Sequence, residues 1–352
     1  MCAEIRRAFG YNPSFLAHVG RARGVNVHGF SIYLSPPPHI SASSFLQSMS
    51  AYRPLHRASR RAAMALAALS GDEQCIIFSQ LCDVLDTRVA VAFSSTSSEL
   101  RAVTQAQRQQ LKADYEAAAA LCLKLGLRSC KELRETTMVS PRWSLQKGLS
   151  ADDLALLGTL SSVLPALESL RLMEPAAGPD GVQQLAVGLG AGALPAVIDL
   201  GLHSMHVGDA GASALAAALD RGALPRLKHL YLINTAICDA GLLGLAPAMR
   251  RLPALENLYI FGNPFGNEGL AALVAPPPLP ASALPPPTGV LAKLKALTLD
   301  RTQVTDAGCA ALAAALDSGS LSSLVDLSLD GIPASAAAKT AVYAAMDRLQ
   351  LL

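Results

Sequence analysis

From Leu164 onward the apolar positions change period twice in every cycle: a short L-x-x-L-x-L run with strand-like alternation gives way to small and apolar residues at helical spacing. The cycle recurs about every 30 residues. Six copies begin at Leu164, Leu194, Leu224, Leu252, Leu291 and Leu321. Their runs are Leu167/Leu170/Leu172, Val197/Leu200/Leu202, Leu227/Leu230/Leu232, Leu255/Leu258/Ile260, Leu294/Leu297/Leu299 and Leu324/Leu327/Leu329. Nine residues after each run stands a small residue (Gly181, Gly211, Gly241, Gly269, Gly308, Ala338), and four further on an apolar one (Leu185, Leu215, Leu245, Leu273, Leu312, Val342). Each copy is too short to bury its own apolar face, so the pattern predicts strand-plus-helix units stacked on one another. Trp143, Leu145, Leu149 and Asp152 read as a degenerate leading repeat, with Trp143 as capping core.

The L-x-x-L-x-L run followed by a helix resembles the leucine-rich repeat. The V-x-D-x-G turns at Val207/Asp209/Gly211 and Val304/Asp306/Gly308 make it most similar to the ribonuclease-inhibitor-like subclass. The resemblance implies an α/β solenoid, a horseshoe with parallel strands on its concave face and helices on its convex face. Alternate strand residues then point into the concavity. One such column is Arg171, Gly201, Tyr231, Tyr259, Thr298 and Ser328; the next is Met173, His203, Ile233, Phe261, Asp300 and Asp330. A third adds Glu168, Lys228, Glu256 and Lys295. Tyr231, Ile233, Tyr259 and Phe261 fall side by side in a chain with 5% aromatics, the composition expected of a protein-binding hot spot. The partner expected on this face is a protein.

Ahead of the repeats, residues 62–104 predict a small all-α module. Ser70 and Glu73 form a capping box, Ile76, Ile77, Leu81 and Leu85 mark an apolar face, and Leu100 and Val103 close the segment. This order, with Leu69 before the cap, resembles the F-box. That resemblance implies docking on the adaptor subunit of a cullin-type ubiquitin ligase through Leu69, Ile76, Ile77, Leu81 and Leu85. The sequence departs from the family pattern in having Ser70 where a proline is usual and Ser94, Ser95 and Ser97 in the second half. Residues 105–142 read as a helical linker or cap, with Leu111, Tyr115, Ala118, Leu121 and Leu125 on one face and Gly126 as stop signal. Residues 143–352 form the repeat domain, interrupted by a Pro-rich insertion at 275–288. Residues 1–61 are Arg- and Ser-rich, with Glu4 as their only acid, a composition compatible with a transit peptide, a disordered tail or an extraneous start.

Composition narrows the function further. A net charge of +2 gives no global signal for nucleic acid, and the longest uncharged stretch, Gly269 to Ala292, is broken by prolines and excludes a spanning helix there. The seven cysteines show no C-x-x-C pair and predict reduced thiols in an intracellular protein, cytoplasmic or nuclear. No phosphate loop, nucleophile elbow or paired-histidine metal motif occurs, so neither catalysis, metal nor cofactor is expected. His203 and His206 fall at a strand end and in the following turn, and Asp209, Asp239 and Asp306 fall where a short acid caps a helix. Three functions follow: a substrate-recognition adaptor of a ubiquitin ligase, a repeat scaffold with no ubiquitin link, or, from the basic N-terminus, an organelle-imported structural or regulatory subunit.

Overall fold

The computed structural model describes residues 69–140, 148–173, 177–274 and 291–350. Trp143, Leu145, the Pro-rich insertion and the basic N-terminal segment lie outside them. The chain divides into two compact units between Tyr115 and Glu116.

In the first unit Ser70 opens α1 (Gly71–Leu81) with both halves of the capping box formed: the Ser70 hydroxyl accepts from the Glu73 amide, and the Glu73 carboxylate accepts from the Ser70 amide. Two short helices follow, α2 (Arg88–Ser94) and α3 (Ser98–Val103), the second capped by Ser97. Helix α4 (Gln105–Lys124) begins here and crosses into the second unit. The core joins Phe78, Leu81, Ala90, Phe93, Leu100 and Leu111. The buried face of α1 is Gln74, Phe78 and Leu81, spaced four and three; of the expected apolar residues Ile77 is half-buried against the same core and Ile76 lies off it. Ile76 is 57% exposed, because a helix this short buries only one stripe and Phe78 is the larger side chain.

The second unit opens on the rest of α4 and on α5 (Cys130–Glu135), then adds β1 (Met138–Val139), α6 (Ala151–Leu160), β2 (Ser169–Leu172), α7 (Gly178–Gly188) and β3 (Asp199–His203). It continues with α8 (Gly208–Asp220), β4 (His229–Ile233), α9 (Asp239–Arg250), β5 (Asn257–Tyr259) and α10 (Asn267–Val274). It ends with β6 (Ala296–Thr298), α11 (Asp306–Asp317), β7 (Asp326–Ser328) and α12 (Ala336–Gln350). The seven strands pair in parallel and in sequence order, each to the next. Leu170, Leu200, Leu230, Leu258, Leu297 and Leu327 sit opposite one another across the ladder, so one repeat's leucines rest on the next repeat's. Those leucines and the Leu185/Leu215/Leu245/Leu273/Leu312 helix column are buried, and the helices pack in sequence order alongside. Helices α6 and α7 approach closely where Gly158 and Gly188 meet: a Cβ at Gly158 would lie 2.6 Å from the Leu185 carbonyl. The strand that precedes the six clear copies is Met138–Val139, upstream of the Trp143–Leu145 run expected to hold it.

The acids at the helix starts satisfy the following repeat. Asp209 Oδ1 accepts from the Cys238 amide at 2.8 Å, and Asp239 Oδ1 from the Gly266 and Gly269 amides at 2.8 and 2.7 Å. Asn267 Oδ1 accepts from the Thr305 amide, and Asp306 from the amide and hydroxyl of Ser335. Each side chain thus caps the helix entry one repeat ahead, bonding free amides that the next helix leaves over. Asn263, 1% exposed, plays a similar part at a strand-to-helix turn. Its Oδ1 accepts from the amides of Thr235 and Ile237 and from the Thr235 hydroxyl, and its amide donates to the Leu232 and Ile260 carbonyls. Among the described residues no helix is long and apolar enough to cross a membrane.

Candidate interaction face of the sheet

Strand pleating sends the leucines to one side of the sheet and their neighbours to the other. On the outward side the register aligns Arg171, Gly201, Tyr231, Tyr259, Thr298 and Ser328 in one row, the row read from the repeats. Apart from Gly201, which is buried, these residues are half-buried and solvent-accessible. His203 pairs with Ile233 in the next row, where Phe261 and Asp300 are also half-buried and Asp330 is exposed. Glu168, Lys228, Glu256 and Lys295 have the opposite pleat parity and precede the strands, so they are not on the tyrosine face. There Glu256 bridges Lys228 at 3.2 Å and Lys295 at 2.8 Å, and the hydrogen bond from Lys295, then that from Lys228, hold its carboxyl below the usual range. The third outward row is instead Ser169, Asp199, His229, Asn257, Ala296 and Asp326. Period-2 counting from the tyrosines signals it, whereas counting from the leucines lands one residue off.

At the middle of this face Tyr231 and Tyr259 stack with ring centroids 4.7 Å apart and planes 4° from parallel. The Arg171 guanidinium lies 4.8 Å from the Tyr231 centroid, and the His203 ring 5.9 Å from it. Burial, then the neighbouring Arg171 charge, pushes the His203 imidazole below its ordinary pKa. Burial pushes the Tyr231 phenol up, Arg171 opposing, with Asp199 and Tyr259 adding to the rise. Asn257 donates to the Tyr259 hydroxyl at 3.2 Å. Asp300 accepts from the Asp330 amide at 2.7 Å, so one of its oxygens holds the ladder.

Six side-chain polar atoms among the described residues are buried with no partner in the chain, and four belong to outward rows: Ser169 Oγ, Arg171 Nε, His229 Nδ1 and Thr298 Oγ1. An orphaned buried polar atom costs about 1–3 kcal/mol. All four lie in the outward rows of the one sheet.

In the first unit the docking candidates separate by exposure. Ile76 is open to solvent and Leu69 and Ile77 are half-buried, whereas Leu81 and Leu85 are 8% and 4% exposed and are spent on the interior. Leu81 and Leu85 are thus not available to a docking partner, a correction to the five-residue surface. No group of three His, Cys, Asp or Glu able to hold a metal is found among the described residues, and His206 faces solvent away from any such group. The described cysteines are free thiols: Cys122, Cys130 and Cys309 buried, Cys75 and Cys82 half-buried, Cys238 exposed. Burial above all pushes the Cys122 thiol up to about 12. No protein-family model and no curated protein matches the chain.

Proposed function

We propose that the chain is a non-catalytic protein-binding repeat protein, with neither cofactor nor metal and with neither nucleic acid nor membrane as its target. In this reading the second unit is a leucine-rich repeat solenoid of the ribonuclease-inhibitor-like kind, and the outward sheet face is its concave surface. A protein partner docks there around Tyr231 and Tyr259. The observation that supports the reading is the coincidence on one face of stacked rings, a guanidinium beside them and four polar atoms without internal partners. Aromatic and Arg side chains at the centre of a patch supply most of an interface's binding energy. Affinity purification with the chain and with its Tyr231→Ala/Tyr259→Ala variant tests it. The variant should keep its helicity and lose the captured partner, and equal capture by both counts against the site.

The wider reading makes the chain a substrate-recognition adaptor of a cullin-type ubiquitin ligase, with the first unit as its F-box-like docking module. Supporting it are the residue order of 62–104 and an exposed isoleucine on a three-helix unit. Full-length Ile76→Asp should then lose the ligase adaptor subunit while keeping the partner held at Tyr231. If the adaptor subunit co-purifies with neither form, the scaffold without a ubiquitin link stands.

A further inference from the structure

Granted that the tyrosine face is the partner site, we propose that the protein segment docking there carries an acid and a base four residues apart, with an apolar residue midway. The charges of the face stand at its two ends. Arg171 is on β2, Asp300 and Asp330 directly follow β6 and β7, and Tyr231, Tyr259 and Phe261 between them are not ionised at neutral pH. Asp326, exposed on β7, adds to the negative end. Among the described residues none of these four charged groups is in an ion pair. Arg171 makes its contact with the Tyr231 ring, 4.8 Å from the centroid, and the Asp330 amide donates to Asp300 Oδ1 at 2.7 Å, which holds that carboxylate in place. Of the other charged neighbours, Asp199 faces His229, with 3.9 Å between Oδ1 and Nε2, and Arg301, beside Asp300 in the chain, pairs with neither acid.

The strand spacing sets the distance between the two ends. The Arg171 guanidinium lies over a ring of β4, so at about 4.8 Å per strand Asp300 is two strands on, about 10 Å, and Asp330 three, about 14 Å. In an extended chain residues i and i+4 share a side and stand about 14 Å apart, at about 3.4 Å per residue. A single segment crossing the strands therefore sets its carboxylate on Arg171 and its cation on Asp300 or Asp330. Residue i+2 then falls over Tyr259 and Phe261, which supply the apolar contact. A polyanion matches Arg171 alone and is repelled at the other end, and a polycation meets the reverse. Opposite charges at the two ends of the face thus select the segment by its charge spacing, while the rings between them supply contact area.

The test is fluorescence anisotropy of labelled peptides titrated with the full-length chain. The probe has Glu and Lys four apart, Leu midway and Ser at the intervening positions. Three counterparts carry Gln at both ends, Lys at both, or Glu at both. The Glu/Lys peptide should bind about tenfold more tightly than each counterpart, and weaken several-fold as salt rises from about 50 to about 300 mM. Arg171→Glu should move the preference to the Lys/Lys peptide, and Asp300→Lys/Asp330→Lys to the Glu/Glu peptide. A moved preference also shows that the variant is folded; Arg171→Gln and Asp330→Asn, each with a smaller loss, serve where a reversal misfolds. Equal binding of all four peptides, lost in Tyr231→Ala/Tyr259→Ala, would overturn the charge spacing and leave the tyrosine face standing. Binding indifferent to the tyrosine and charge variants alike would remove the face and the proposal together. Absence of binding by all four at about 1 mM would also overturn the proposal. So would self-association of the chain abolished by Arg171→Glu, since the occupant would then be a second copy.

Discussion

Parallel strands lie about 4.8 Å apart, so Arg171 and Tyr231, two strands removed, meet across Gly201, which sits between them in the register. A Cβ there would lie 2.7 Å from His203 Nε2 and 3.1 Å from Arg171 Cγ. Gly201→Val should push both side chains off the tyrosine ring. The shape of the face would change more than its stability: unfolding free energy should fall by about 1 kcal/mol, as overpacking against movable side chains allows, while partner capture should drop as is expected of Arg171→Ala. Capture unchanged in Gly201→Val would show that the stacked arrangement is not what the partner reads. His203 gives a second readout. Its folded pKa is depressed, so its contribution to stability is present above the ordinary imidazole value and is lost as pH falls through the folded value. Melting temperature should therefore decline on acidification from pH 7 toward 5, and His203→Gln should flatten that decline. Asn263→Ala removes the acceptor for two amides and the donor to two carbonyls in a buried turn. It should cost about 3 kcal/mol or more in urea unfolding.

At the scale of elements, the repeats were legible because burial enforces them: each leucine column is a contact between neighbours, and one slip would send it to solvent. What the columns do not encode is reach. Asp239 reads from its position as a cap for the helix it begins, yet its carboxylate bonds Gly266 and Gly269 at the entry of α10, because the parallel stack sets the next helix start beside it. Asp239→Ala should cost about 1–2 kcal/mol, and hydrogen exchange should quicken at the first amides of α10 while those of α9 stay as they were. Strand β1 escaped for the opposite reason: Met138–Val139 has no leucine run and is a strand only through its pairing with Ser169 and Leu170. In α1 periodicity alone could not choose between two apolar stripes, and the packing of Phe78 against Phe93 and Leu100 decided it.

At the scale of the molecule, a sheet that adds strands in chain order joins each repeat mainly to its two neighbours. Stability in such a stack is the sum of repeat and interface contributions, and a defect at an edge spreads less than one at the centre. Leu232, in β4, has paired strands on both sides; Leu329 follows β7, which pairs with β6 alone. Both are buried and both substitutions to Ala remove the same atoms, at about 2–5 kcal/mol each. Leu232→Ala should speed exchange in α8, α9 and α10 together. Leu329→Ala should release α11 and α12 while leaving α7 to α9 protected, and the tyrosine face on β4 and β5 should still capture its partner. If instead Leu329→Ala lowers protection evenly from α6 to α12, the second unit unfolds as one cooperative block, and the outward face cannot be treated as separable from the end of the stack.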